Sequence, residues 1–223
     1  VLGKDHPDTA NTYCGIASVY YSLGEYNLAL EWFMKDLTIS ESVLGKDHPD
    51  TAVTYNNIAI VYQNQGKYDL ALEWYEKALA IREKALGKDH PDTASTYDNI
   101  ANVYGYQGKY DFALEWRQKA LAIREENIGK DHPHTANTYH NIAVDYQNQG
   151  RYDLALEWHQ KALAIFERIL GKDHPETAVV YHSIASVYGK QGKYDLALEW
   201  YQKELAIREK ALGTVHLDTV TSY

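Results

Sequence analysis

Apolar residues recur along this chain at two alternating helical spacings, separated by short polar breaks. Ala52, Tyr55, Ile58, Ala59 and Tyr62 follow one another at three- and four-residue steps, the period of one face of an α-helix. The segment opens on Pro49 and Asp50, where a first-turn proline is tolerated and a carboxylate favours the positive helix start. Gly66 predicts its end, because glycine takes the left-handed cap conformation without steric cost. A second helix is predicted from about Tyr68, with Ala71, Leu72, Trp74, Ala78, Leu79 and Ile81 as its apolar set and Gly87 as its stop. Glu73 and Lys77 stand four residues apart on it, acid before base, and every unit keeps the pair. No stretch carries the alternation of a strand.

The same pattern returns at a fixed interval. Leu-Gly-Lys-Asp-His-Pro begins at Leu2, Leu44, Leu86 and Leu170, with isoleucine in the copy at Ile128 and a degraded copy at Leu212. The spacing of 42 residues admits no insertion, so the chain divides into repeats 2–43, 44–85, 86–127, 128–169 and 170–211, with a partial sixth at 212–223. A fixed period of this size marks a solenoid, in which each helix pair buries its apolar faces against its neighbours. The expected fold is therefore all-α, a single array over residues 1–223.

These positions resemble the tetratricopeptide repeat (TPR). Tyr55-x-x-Ile58-Ala59-x-x-Tyr62-x-x-x-Gly66-x-Tyr68-x-x-Ala71, continuing to Ala78, occupies that motif's signature. The 42-residue unit with its Leu-Gly-Lys-Asp-His-Pro-Asp linker is similar to the kinesin light chain subtype. The resemblance implies a right-handed superhelical solenoid, with one arc of each first helix lining a concave groove where an extended peptide lies. Heptads for a heavy-chain-binding coiled coil are absent from the sequence.

The repeats form their own internal alignment. Ala52, Tyr55, Ile58, Ala59 and Tyr62 have identical counterparts in every full repeat, as expected of an arc packed where volume changes are costly. The opposite arc varies. One column reads Asn11, Val53, Ser95, Asn137, Val179; another Cys14, Asn56, Asp98, His140, His182; a third Ser18, Ile60, Asn102, Val144, Ser186. Asn64 and Tyr106 belong to a fourth variable column. Near-identical units that differ on one stripe point to a diversified binding surface; an exposed face drifting without consequence is the alternative. A steadier column, Gly15, Asn57, Asn99, Asn141, Ser183, forms an asparagine ladder whose carboxamides can pair with peptide backbone. The resemblance assigns the same role to that position.

Charge narrows the partner. The net charge of −9 argues against nucleic acid and anionic membranes, which call for surplus Lys and Arg on one face. The stripe is nearly neutral: Arg117 and Lys190 lie near it, opposed by Asp98 and Asp145. A neutral, aromatic or mildly basic protein segment fits, with Tyr21, Tyr75, Tyr106, Phe33 and Tyr201 as candidate contacts. Cys14 is the single cysteine, consistent with a reducing, cytoplasmic setting.

Chemistry is sparse by contrast. Six of ten histidines (His6, His48, His90, His132, His174, His216) recur in the linker and read as punctuation before a helix. His140, His182 and His159 could converge on zinc, but no thiolate or carboxylate completes a set, and they read as groove residues. No nucleophile elbow, His-Glu-x-x-His or phosphate loop is present, so neither catalysis nor a cofactor is expected. The five tryptophans recur at the period and read as packing. Val1-Leu2 and Thr219–Tyr223 look like interrupted helices without polar caps, so a segment of a longer array is expected, with self-association through the uncapped ends as a further option. A regulatory or oligomerisation segment of a larger multidomain signalling protein is the rival reading.

Overall fold

A computed structural model describes residues 6–212. The partial sixth repeat beyond Leu212 and the residues before His6 lie outside the described residues, and with them His216 and both chain ends. The described residues form helices α1 (Pro7–Ser22), α2 (Tyr26–Val43), α3 (Pro49–Asn64), α4 (Tyr68–Ala85), α5 (Pro91–Tyr106), α6 (Tyr110–Asn127), α7 (Pro133–Asn148), α8 (Tyr152–Ile169), α9 (Pro175–Lys190) and α10 (Tyr194–Leu212). Odd-numbered helices are the first of each repeat and even-numbered ones the second. They fall into two compact units, Val1–Ile123 and Arg124–Tyr223.

Each first helix is capped by its linker histidine. His48 is extended, and its Nδ1 accepts the backbone N–H of Asp50 at 3.1 Å, with Pro49 filling the first helical position. His6, His90, His132 and His174 repeat the arrangement on their own helices. This answers one of the four N–H groups that every helix start leaves without an intrahelical partner. The threonine two residues past the proline then clamps the linker: Thr51, Thr93, Thr135 and Thr177 donate to the carbonyls of Gly45, Gly87, Gly129 and Gly171. At the other end, Gly66 takes a φ of 72°. Its N–H reaches the Gln63 carbonyl at 3.0 Å and that of Lys67 reaches Tyr62 at 2.9 Å, the paired bonds of a left-handed glycine cap.

The constant arc is the core. In the first unit, Phe33 and Leu37 of α2 pack with Tyr55, Ile58 and Val61 of α3 and Ala78 and Ile81 of α4 in one cluster. A second cluster joins Ala59, Tyr75 and Leu79 to Tyr97, Ile100 and Val103. Each cluster crosses a repeat boundary, so no repeat is buried by its own two helices. In the second unit α7 packs on α8, α8 on α9 and α9 on α10, burying Ile142, Ala143, Phe166, Ile184 and Ala185.

Two constant side chains bind successive repeats. The hydroxyls of Tyr55, Tyr97 and Tyr139 donate to Glu41, Glu83 and Glu125 at 2.6 Å, and Tyr181 does so to Glu167. In each case the glutamate ends one repeat and the tyrosine opens the next. Burial, then the carboxylate, pushes each phenol well above its ordinary range, so it stays a donor. The same tyrosine rings lie 5.4–5.5 Å from the tryptophans Trp74, Trp116, Trp158 and Trp200. Lys77, Lys119, Lys161 and Lys203 cover those indoles at about 4 Å. The tryptophans are packing residues, and the Glu–Lys pairs lie on this face: Lys119, Lys161 and Lys203 reach Glu115, Glu157 and Glu199 within 3.2 Å.

The histidine caps make a testable prediction. His132→Ala should lower stability by about 1 kcal/mol, and His132→Asn, which keeps a side-chain acceptor, should restore most of it; urea unfolding of the three proteins measures both.

Candidate functional site

The variable columns lie where helical geometry puts them, on the arc away from the core. In the first unit Asn11, Val53, Ser95, Asn64 and Tyr106 are exposed, while Asn56, Ile60 and Asn102 are half-buried. Asp98 is the exception: it is buried, with Oδ1 4.0 Å from Arg117 Nη1. Arg117 also donates to Asn102 Oδ1 at 3.0 Å. Arg117, one of the two cations near the stripe, is thus engaged by Asp98, the acid set against it in the sequence, and by Asn102.

The asparagine ladder joins repeats. Asn99 Nδ2 donates to Asn56 Oδ1 of the preceding repeat at 3.0 Å, and Asn57 Nδ2 points to Cys14 Sγ at 3.8 Å. Asn64 likewise reaches the Tyr21 hydroxyl at 3.0 Å. One N–H of each carboxamide, in Asn57 and Asn99, is committed to the scaffold, and their Oδ1 atoms accept no hydrogen bond from the described residues. Asn57 also lines a small cleft of about 210 Å³ with Ser18, Tyr21, Phe33 and Ile60, of a size and lining to take an apolar side chain. Phe33 and Tyr75 are buried, and the Tyr75 hydroxyl bonds Gln63 at 3.1 Å. These two rings serve packing before they serve a ligand, whereas Tyr106 is open to solvent.

In the second unit Asn137, His140, Asn141, Val144 and Ser186 are half-buried, and His182 is exposed. Ser186 accepts from Gln147 of the preceding repeat at 3.2 Å, a further repeat-to-repeat bond on the stripe. The histidines do not converge. His140 tilts against the ring of His159 with centroids 5.0 Å apart. His182 instead places Nδ1 2.9 Å from Glu204 Oε2. Among the described residues no group of three or more His, Cys, Asp or Glu side chains is arranged to hold a metal ion.

Glu204 is buried, yet its oxygens hold both His182 and Arg208, the latter at 2.7 Å. Burial alone would raise its carboxyl, but those two bonds keep it below the ordinary range, and the Glu204 bond raises His182 in turn. Asp36 occupies the equivalent position in the first repeat, and there burial prevails and raises the carboxyl. Asp36, Ser40, Arg82 and Glu204 were not among the residues singled out from sequence. Comparing second-helix columns would have found them: Asp36, Ala78, Ala120, Ala162, Glu204 and Ser40, Arg82, Arg124, Phe166, Arg208 vary as much as the stripe does.

Known proteins agree with this architecture. The tetratricopeptide repeat profile matches residues 8–84, 50–126, 98–147 and 134–210, nearly the whole chain. The chain belongs to the tetratricopeptide repeat family. A Podosopora anserina kinesin light chain structure with nearly identical TPR-like repeats is similar at 26% identity and a TM-score of 0.77, over 93% of this chain and 98% of that one. BtubC (BKLC) from P. vanneervenii is similar in fold at a TM-score of 0.80 and 23% identity, over 94% of this TPR chain and 83% of its own. Aspartyl phosphate phosphatase F from Bacillus subtilis shares the fold at a TM-score of 0.77 and 22% identity, over 89% of this chain and 50% of its own. No curated protein sequence matches. No helix of the described residues is long and apolar enough to cross a membrane.

His159 generates the prediction for this surface. It is fully buried, and neither ring nitrogen has a hydrogen-bond partner among the described residues. Burial, then the neighbouring His140, lowers its pKa from 6.5 to about 3. The unfolded chain therefore takes up a proton below about pH 6.5 that the folded chain refuses until about pH 3, and folding weakens as pH falls through that window. His159→Phe, which copies Phe33 of the first repeat, should remove this dependence. The stability difference between variant and parent should widen by up to about 1.4 kcal/mol per pH unit on acidification, read by urea unfolding at pH 7.5 and 5.

Proposed function

We propose that this TPR array is a protein-interaction module that holds an extended partner segment along the variable stripe, and that it is a binder without catalytic activity. The carrying observation is the division of labour within each first helix: one arc is constant and buried, the other varies and faces outward. In each unit the variable arc holds exposed or half-buried polar and apolar groups, and in the first it borders a cleft sized for a side chain. Membership of the tetratricopeptide repeat family supports a protein or peptide partner, and the likeness to kinesin light chain repeats supports cargo- or adaptor-type recognition.

In this reading Asn57, Asn99 and Asn141 contact the partner backbone. The first two offer Oδ1 and one N–H to it, the other N–H being turned to the neighbouring repeat. Val53, Ile60, Tyr106, His140, Val144 and His182 select side chains. The partner is neutral, aromatic or mildly basic, since the chain's net charge of −9 disfavours acidic ligands. The setting is cytoplasmic, where a single free cysteine is unremarkable.

An unbiased peptide-display selection tests this reading, run beside an Asn57/Asn99/Asn141→Ala variant matched for helicity by circular dichroism. The wild type should enrich a shared motif that the folded variant binds at least tenfold more weakly. Equal capture by both proteins, or no enrichment by either, would remove the ladder from the site and favour the oligomerisation reading.

A further inference from the structure

The first repeat differs from the others at two inward positions of its second helix. Later repeats place Arg82, Arg124, Phe166 and Arg208 where the first has Ser40, and three of them place alanine where it has Asp36. Arg82 shows what that position does. Its side chain is buried in the wedge between α4 and α5, where Nη1 donates to the main-chain carbonyl of Asp92 at 2.9 Å and to Thr96 Oγ1 at 2.7 Å.

One repeat earlier, the wedge between α2 and α3 has the same acceptors and no arginine. Asp50 and Thr54 stand 42 residues before Asp92 and Thr96. Ser40 is too short to reach them, and its hydroxyl turns back onto Asp36 at 3.1 Å. The vacated space is a cleft of about 260 Å³, lined by Asp50, Thr54, Asp36 and the apolar Ile39, Val43 and Val53. Asp36 is only 4% exposed, and it accepts from Ser40 and from Thr54 at 2.9 Å. Among the described residues no cation is paired with it. Two hydroxyl bonds leave a carboxylate's capacity half used, and a buried charge without a counter-charge is costly. The fifth repeat completes the comparison: there the carboxylate, Glu204, accepts from Arg208 Nε four residues on. The first repeat has the carboxylate, the carbonyl and the hydroxyl of both arrangements, and lacks the guanidinium they hold.

We propose that this cleft receives the guanidinium of an arginine carried by the bound partner segment. The planar fork donates to the Asp36 carboxylate and to the Asp50 carbonyl and Thr54 hydroxyl, as Arg82 does at Asp92 and Thr96. The methylene stem lies along Ile39, Val43 and Val53. A lysine is a poorer fit, because a compact ammonium cannot span acceptors spread around a plane. The proposal rests on the groove reading and sharpens it, since Asn11, Cys14 and Val53 of the variable stripe line the same cleft.

N-acetyl-arginine amide, titrated into isotope-labelled protein, is the direct probe, with the lysine and citrulline analogues as controls. The backbone amides of Asp36, Ser40 and Thr54 should shift saturably with the arginine compound, and at least tenfold more weakly with citrulline. Ser40→Arg gives the repeat its own arginine, and should raise the melting temperature and abolish the response. Asp36→Ala copies three other repeats, so it should fold and bind at least tenfold more weakly. Equal response to citrulline, or undiminished binding by Ser40→Arg, would overturn the proposal. Peptide selection on wild type and Ser40→Arg separates it from the groove reading. A motif without arginine that both proteins enrich sinks the arginine cleft and leaves the groove standing. An arginine motif lost in Ser40→Arg supports both. Saturable binding of the small probe with no peptide enriched by either protein sinks the groove reading and the partner source with it.

Discussion

No helix of this protein can cover its own apolar face, and the rest of the structure follows from that shortage. Two helices of 16–18 residues meet along one seam, which leaves Ile58, Ala59 and Tyr75 needing a neighbouring repeat. That neighbour supplies Phe33 and Leu37 on one side and Ile100 and Val103 on the other. Truncation of a buried isoleucine such as Ile58 typically costs about 2–5 kcal/mol, which explains why this column is invariant among repeats. The Tyr–Glu bonds add direction to the apolar contact, because a buried phenol that loses its acceptor costs about 1–3 kcal/mol. Stacking is therefore specified by shape and by directional hydrogen bonds, of which the Tyr–Glu bond recurs at each of the four junctions.

The linker makes the stacking repeatable. A histidine cap, a first-turn proline, a threonine clamp and a left-handed glycine fix where each helix begins and ends. Three of them answer unsatisfied backbone groups, and the proline removes an N–H that would have had no partner. With the boundaries fixed, every copy of a column sits at the same place in its repeat. Substitutions on the outward arc then alter chemistry without disturbing the packing beneath. Asn56, Asp98 and His140 occupy one column with three different chemistries, yet the isoleucine two residues on is buried in each repeat.

Much of this was legible in the sequence, because the repeat supplies its own comparison. The period followed from the recurring linker, the helix pairs from apolar spacing, and the core arc and outward stripe from column variation. The structure places them as expected apart from the buried Asp98. The linker histidines were recognised as punctuation, but their capping bond depends on a ring nitrogen that no pattern displays. Partnerships between columns were harder to read. Asn57 and Asn99 looked like free carboxamides, whereas their donors bridge to Cys14 and Asn56 one repeat back, a contact between residues 43 apart. Arg117 was read as opposed by Asp98, and the structure pairs the two, but its bond to Asn102 was not foreseen. Asp36 and Ser40 escaped notice because a second-helix position reads as core until the space left by a missing side chain can be seen.

The central claim is that the outward arc of the first helices is the contact surface. Amide hydrogen exchange on the array, with and without a saturating display-selected peptide, tests this most directly. The account predicts slowed exchange in the odd-numbered helices and little change in the tryptophan- and lysine-bearing faces of α4, α6, α8 and α10. Protection concentrated on those lysine-covered tryptophans, or none in α1, α3, α5, α7 and α9, would contradict it.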